Sequence, residues 1–567
     1  MSWDQLPFEI YVNIFRNLNF WDRKPLSLVC RRWNEAVFSR SLCRSLCIEL
    51  SRGDWCTGGA DSAGGEGEKV RVVDDAIVEA SQRDYRVVYV KWCKDSHPSV
   101  LISIDRLLRE LQEKCQLEGM IIDAPLGPQL VNFFRSNGEL LARVRKLQVS
   151  TECTDSRLRL DRCWLRMDQL ETLFWREIVP NDQLEGQRPL FLLEAPNLTS
   201  AIVRFGDSDS DHGIMWHSSF LELDQSCRLN SLKLHLHSRM WERFFEQQLG
   251  SLQELTLFHK TANLESRDWN GLFSNMPNLK LIQLWEVNDT MLEAIHRCCS
   301  NLRVLLLENI NLTGRFLATD RVFLNLEQLR LESGKIRSSS TLCLPLLQQL
   351  DWFNVKNQDG QTLAIFAPNL RTLGQAKYGA PDFSLLSHNV PPIALEKLQL
   401  DLYASDIPDH LQARPFPLLR ELNVRVSSAR PELARVMPNF RNVTEFTLIA
   451  YNAPLQCDAL LNQMFEHCEH VTALTLCGFN PNLELSFPVF GQIFRNRNLK
   501  SLKMFGLTVT GHSLPVSLPP ELQQFDLRYV KVMDVAFGAY VFPPDGPFPV
   551  VCNKTDDFCC YFSKDCD

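Results

Sequence analysis

Asn301-Leu302-Arg303-Val304-Leu305-Leu306-Leu307 and Asn325-Leu326-Glu327-Gln328-Leu329-Arg330-Leu331 are one phrase written twice, 24 residues apart. The alternation of apolar and variable residues at its end is the period of a strand buried on one face. Its return after 24 residues describes a unit that cannot bury that face alone and has to stack on copies of itself. Further copies are Leu252–Leu257, Leu395–Leu400, Leu419–Val424, Val471–Leu476 and Leu499–Met504. The middle apolar residue can be followed through Leu147, Leu173, Ala201, Leu232, Leu255, Ile282, Leu305, Leu329, Leu350, Leu373, Leu398, Leu422, Phe446, Leu474, Leu502 and Phe525. That makes sixteen units over 378 residues, with steps of 21 to 31 residues. Val88–Val90 and Met120–Ile122 are weaker, earlier copies.

A chain of 567 residues would otherwise suggest about four domains. The repeat replaces that expectation with one long array of the leucine-rich-repeat type, whose period is about 20–29 residues. The expected fold class is α/β: a curved solenoid with parallel strands on its concave face and helices and turns on its convex face. Asp289–Cys299 is predicted as a convex helix, capped by Asp289, with Leu292, Ile295 and Cys299 on its apolar side. Gln456–Val471 repeats the design with Leu460, Met464 and Cys468. Units such as Ala367-Pro368-Asn369-Leu370 are expected to use turns in place of a helix.

The composition is that of a globular protein, 45% hydrophobic and 23% charged, and its net charge of −8 offers no basic excess for nucleic acid or anionic membranes. The 19 cysteines are scattered along a long chain, which reads as reduced thiols rather than a secreted disulfide scaffold. The opening MSWDQLPFEI is neither a secretory signal nor a transit peptide, and no run of 18 apolar residues occurs. A cytoplasmic and/or nuclear protein is expected, without a membrane partner.

Ahead of the repeats, Ile10, Ile14, Phe15 and Leu18 form a helical apolar stripe after Pro7. A second helix is predicted from an Asp22 cap, with Leu26, Val29, Cys30, Trp33 and Val37 at helical spacing. Forty residues cannot bury both helices by themselves, so their apolar surface has to dock on the following domain, as an N-terminal cap of the solenoid, on a partner, or on both. Leu6-Pro7, Glu9, Ile14-Phe15, Leu18, Asp22, Val29-Cys30 and Trp33 match the F-box pattern in type and spacing, and about residues 3–45 resemble that family. Arg23, where an apolar residue often follows the Asp, and the early Pro25 depart from it. The resemblance implies a partner, the small S-phase-kinase-associated adaptor of cullin–RING ubiquitin ligases, and through it a cullin. It also implies that Leu6, Pro7, Ile10, Ile14, Phe15, Leu18, Leu26, Val29, Cys30 and Trp33 are buried against that adaptor. The units at Asp289 and Gln456 resemble the cysteine-containing repeats found in F-box proteins.

The expected organisation is an F-box (1–45), an N-terminal solenoid end with a flexible Gly-rich loop at 53–68 (46–143), the repeats (144–540) and a Cys-rich, disordered tail (541–567). The loop carries six glycines in sixteen residues and no phosphate-binding pattern. The variable residues of the phrase would line one face and bind a protein target. They run from Phe174, Arg176, Arg204, Lys233 and His235 through Phe258, Gln283 and Trp285. They continue with Leu306, Glu308, Arg330, Glu332, Asp351 and Phe353, then Lys397, Asp401, Glu421 and Arg425. Phe258, Trp285, Leu306, Glu308, Arg330 and Phe353 are the central candidates, although a strand-phase error of one residue would reverse the face they occupy. Walker, G-x-S-x-G and H-E-x-x-H motifs are lacking. Glu466–His470 and the tail cysteines Cys552, Cys559, Cys560 and Cys566 do not follow zinc spacings. No catalytic residue, metal or cofactor is expected. The expected role is a non-catalytic substrate receptor of a ubiquitin ligase, with a ligase-independent interaction scaffold as the alternative.

Overall fold

The apolar positions of the repeated phrase pair with one another, unit by unit. The computed structural model describes residues 6–16, 26, 28–37, 45–49, 86–92, 98–114, 116–152, 162–178, 190–205, 221–224, 226–235, 249–258, 268–312, 323–337, 341–357, 364–376, 394–402, 415–426, 431–451, 455–478, 483–510, 521–528 and 531–533. The Gly-rich loop, the Cys-rich tail, Leu18, Asp22 and Pro25 lie outside them. The chain divides into two compact units, Met1–Ile282 and Gln283–Asp567. Both are mixed α/β, dominated by parallel strands with few helices.

In the first unit the parallel register runs Leu46, Val88, Met120, Leu147, Leu173, Ala201, Leu232, Leu255. In the second it runs Leu305, Leu329, Leu350, Leu373, Leu398, Leu422, Phe446, Leu474, Leu502, Phe525. These are the residues picked out by the phrase, and those from Val88 to Leu502 in the two series are buried. Each layer thereby hides one leucine-sized side chain under the next, about 2 kcal/mol of apolar burial apiece.

The asparagine of the phrase has its own task. Asparagines just before the first apolar position donate Nδ2–H to a backbone carbonyl one unit back. Asn197 reaches Asp168 at 2.6 Å, Asn278 reaches Gly250 at 2.7 Å and Asn325 reaches Ser300 at 2.9 Å. Asn369 reaches Pro345 at 2.7 Å, Asn442 reaches Pro417 at 2.8 Å and Asn498 reaches Glu469 at 2.9 Å. Carbonyls at turns have no strand partner, and the carboxamide supplies one. Where leucine replaces asparagine, at Leu346 and Leu418, the side chain is left exposed. Asn369→Ala is expected to cost about 1 kcal/mol in a urea titration, the value of one such bond. A shift indistinguishable from zero would remove the ladder from the account.

The connecting segments depart from expectation in one respect. Several contain short strands that pair with one another in parallel: Phe191–Glu194 with Cys163–Arg166 on one side and Leu221–Leu223 on the other, and Thr341–Cys343 with Ala364–Phe366. Leu455–Gln456, Leu483–Ser486, Leu507–Thr510 and Lys531–Met533 form another such series. The predicted helices are present at Asp289–Cys298 and Asp458–His467. The first is capped by Asn288, whose side chain accepts the Met291 N–H at 3.0 Å, and not by Asp289. Asp289 instead stands in the first turn, where a negative charge favours the helix dipole.

Cys299 and Cys468 close these helices from inside the core, and the Cys468 thiol meets the Phe440 carbonyl at 3.3 Å. Burial pushes both thiols up to about 12 and Cys227 up to about 11. The thiolate is the reactive form, so at pH 7.5 these three are expected to alkylate at least about 100-fold more slowly in the folded chain than in urea. Mass spectrometry after iodoacetamide checks this, and equal labelling in both states would contradict it. No helix among the described residues is long and apolar enough to cross a membrane.

Candidate functional site

Two surfaces contain the residues singled out by the sequence. The first is the N-terminal helix pair, α1 (Phe8–Arg16) and α2 (Arg31–Val37). Phe8, Tyr11, Val12 and Phe15 fall at i, i+3, i+4 and i+7, and this stripe faces α2. Tyr11, Val12 and Phe15 pack with Ala36 and Val37, while Leu6, Phe8, Leu26 and Trp33 lie around them. The Phe15 and Trp33 rings meet edge to face at 5.3 Å, and Tyr11 lies 6.0 Å from Trp33. These rings hold the pair together.

The arrangement divides the predicted contact residues. Phe15 is 2% exposed and belongs to the module's own core, and Trp33 is half-buried beside it. Ile10 (41% exposed), Ile14 (37%) and Val29 (60%) face solvent, as does Pro7; Leu6, Leu26 and Cys30 are half-buried, and Leu18 lies outside the described residues. The second predicted helix is not continuous: Leu28 and Val29 form a turn, and α2 starts only at Arg31. The break has a local cause in Cys30, whose Sγ accepts the Trp33 N–H at 3.4 Å, the bond an N-cap side chain makes. It also brings out Leu28, 86% exposed, which the helical spacing did not single out. The module thus leaves the apolar side chains of Ile10, Ile14, Leu28 and Val29, and Pro7, open to solvent.

The second surface lies in the second unit, on the strands Val304–Leu312, Gln328–Ile336 and Gln349–Asn357. Leu305, Leu307, Leu329, Leu331, Leu350 and Trp352 point inward, so their neighbours point out. Leu306, Arg330 and Asp351 share one register position; Glu308, Glu332 and Phe353 share the next. All six are half-buried. Arg330 places Nη2 2.5 Å from Glu332 Oε2 and its guanidinium carbon 5.6 Å from the Phe353 ring centre. Glu308 accepts from Gln283 Nε2 at 3.1 Å, and Asp351 from Gln349 Nε2 at 2.8 Å. Desolvation by burial pushes both carboxyls up; the carboxamide bonds and Arg330 act against it, as does Lys397 at Asp351, while neighbouring Glu332 adds to it.

Trp285 is 37% exposed on its strand in this unit. Phe258, the remaining central candidate, is half-buried in the first unit, opposite His235 in register. Also in the first unit, Arg204 stands over the Phe174 ring at 5.7 Å. Sequence reasoning missed Gln349 and Gly374. A Cβ at Gly374 would strike Asp351 Oδ1 and come within 3.1 Å of Phe353 Cζ. The bare glycine therefore gives those two side chains room to lie down.

Immediately after these positions the strands turn a corner. Glu286, Asn309, Ser333 and Asn354 have φ of 59°, 51°, 54° and 55°, the left-handed region. Asn309, Ser333 and Asn354 are skipped by the register, which resumes at Ile310, Gly334 and Val355. The inward positions shift by one residue there, from Leu305 and Leu307 to Ile310 and Leu312. Among the described residues no group of three His, Cys, Asp or Glu is placed to hold a metal ion.

No curated protein matches the chain. A family model matches residues 3–49, the span that contains α1 and α2, and its description is F-box-like. The N-terminal module is accordingly an F-box-like domain, which points to adaptor binding within ubiquitin ligases.

Proposed function

We propose that the chain is the substrate-recognition subunit of a cullin–RING ubiquitin ligase. The F-box-like domain docks on the S-phase-kinase-associated adaptor and through it on a cullin, and the strand units hold a protein target. The chain supplies no chemistry in this reading. It raises the local concentration of a target lysine at a ubiquitin-conjugating enzyme carried by other subunits. The strand units form a leucine-rich-repeat solenoid that presents the Leu306–Phe353 face to the target. The match over residues 3–49, together with the apolar side chains that the module leaves uncovered, is the observation that carries the reading. A lone small module does not leave Ile10, Ile14, Leu28 and Val29 in water without cost, about 25 cal/mol for each Å² a partner could cover.

The phrase register and the asparagine ladder support the repeat assignment. F-box proteins are in general non-catalytic receptors, which fits the lack of catalytic motifs in the sequence. The reading is tested in cells with the adaptor gene intact, by proximity labelling with the wild-type chain and with Ile14→Asp/Val29→Asp. Proteins labelled by both chains should be ubiquitinated and short-lived only with the wild type. If their lifetimes are equal, the chain works as a scaffold independent of the ligase.

A further inference from the structure

The Leu306–Phe353 face of the second unit has the chemistry of a basic ligand's counterpart. We propose that it docks an extended segment of a target protein that presents lysine or arginine beside an apolar side chain. This deepens the receptor reading and rests on it for the identity of the segment as part of a target. Over two adjacent register positions the face carries three carboxylates, Glu308, Glu332 and Asp351, against one guanidinium. Arg330 is committed to Glu332 and to the Phe353 ring. Glu308 and Asp351 are hydrogen-bonded by the neutral carboxamides of Gln283 and Gln349, and Lys397, the cation besides Arg330 that acts on Asp351, is itself paired with Glu421 at 2.7 Å. Covering these two half-buried carboxylates with an apolar partner would strip away their remaining water, which is costly; a cation offsets the cost. An acidic partner meets repulsion from the same pair. Between the charges, the half-buried Leu306 and Phe353 give apolar contact, and Gly374 lets Asp351 and Phe353 lie down beside each other. The ligand is therefore read by side chains above a sheet face, with charge setting the sign and Phe353 the apolar neighbour.

The test is selection of a random twelve-residue peptide library on the full chain, followed by sequencing of the retained pool. Lysine and arginine next to an apolar residue are expected to be enriched about tenfold, the ratio that one well-placed charge pair supports. Glu308→Gln/Asp351→Asn, isosteric and on the surface, is expected to abolish the enrichment, whereas Lys503→Ala, on another strand, should leave it unchanged. Circular dichroism and adaptor binding of each variant establish that it is folded. A pool without charge bias, a pool rich in acidic residues, or the same basic pool from the double variant would each overturn the proposal. Adaptor binding is scored separately on the same preparations. A basic pool from a chain that does not bind adaptor sinks the receptor reading and leaves the docking chemistry standing, and the reverse result does the opposite.

Discussion

Ile14→Asp/Val29→Asp is expected to weaken adaptor binding at least about 100-fold, roughly 3 kcal/mol, without unfolding the helix pair. Both side chains lie outside the Tyr11–Phe15–Trp33 core, so aspartate there leaves that core intact. In a complex, each carboxylate would enter an apolar interface without a partner, and that desolvation is the origin of the large effect. Trp33→Ala is a poorer probe. It deletes a ring packed on Tyr11 and Phe15, with an expected cost of about 3 kcal/mol to the module itself. Loss of binding by Trp33→Ala alone would thus report folding as much as docking. Calorimetric titration with helicity measured in parallel separates the two. Unchanged affinity of the folded double variant would move the docking surface elsewhere.

Gly334→Ala is expected to be the most damaging small substitution in the second unit, costing about 3 kcal/mol or more. Gly334 has φ of 141°, which side-chain-bearing residues rarely adopt, and that conformation alone costs about 1–3 kcal/mol. A Cβ there would also run into the backbone oxygen and nitrogen of Ile310 on the neighbouring strand, which cannot move aside without breaking the ladder. Its neighbour Ser333 provides the control. At φ 54°, Ser333→Gly relieves about 1 kcal/mol of left-handed strain and loses nearly as much to unfolded-chain entropy, for a net change near zero. Hydrogen exchange of the Val304–Leu312 and Gln328–Ile336 amides reads the difference locally. Equal protection in the two variants would show that the corner is not the constraint it is taken to be.

That corner explains what the sequence could and could not disclose. The phrase predicted the inward leucines because burial imposes a strict period of two, and Leu305, Leu329 and Leu350 align as it implied. After Glu308, Glu332 and Phe353 a left-handed residue resets the period, and no composition rule marks Glu286 or Ser333 as able to take that conformation. The outward placement of Leu306, Arg330 and Asp351 was legible from alternation. The cross-strand contacts of Glu308, Asp351 and Phe353 were not, because Gln283 and Gly374 act on them from strands 21 to 25 residues away. In the N-terminal module the two apolar stripes of α1 overlap. The Phe8–Phe15 stripe makes the core, and only packing against α2 shows that Ile10 and Ile14 are the ones left over. The Leu28–Val29 break depends on a cysteine acting as a cap, a residue with little preference for that place.

The central claim, that the F-box-like domain makes this chain a ligase subunit, is tested most directly by titrating purified S-phase-kinase-associated adaptor into the folded full-length chain. A one-to-one complex with a Kd below about 1 μM is expected, lost in Ile14→Asp/Val29→Asp and retained in Glu308→Gln/Asp351→Asn. No binding by the folded wild-type chain, or equal binding by all three, would contradict it.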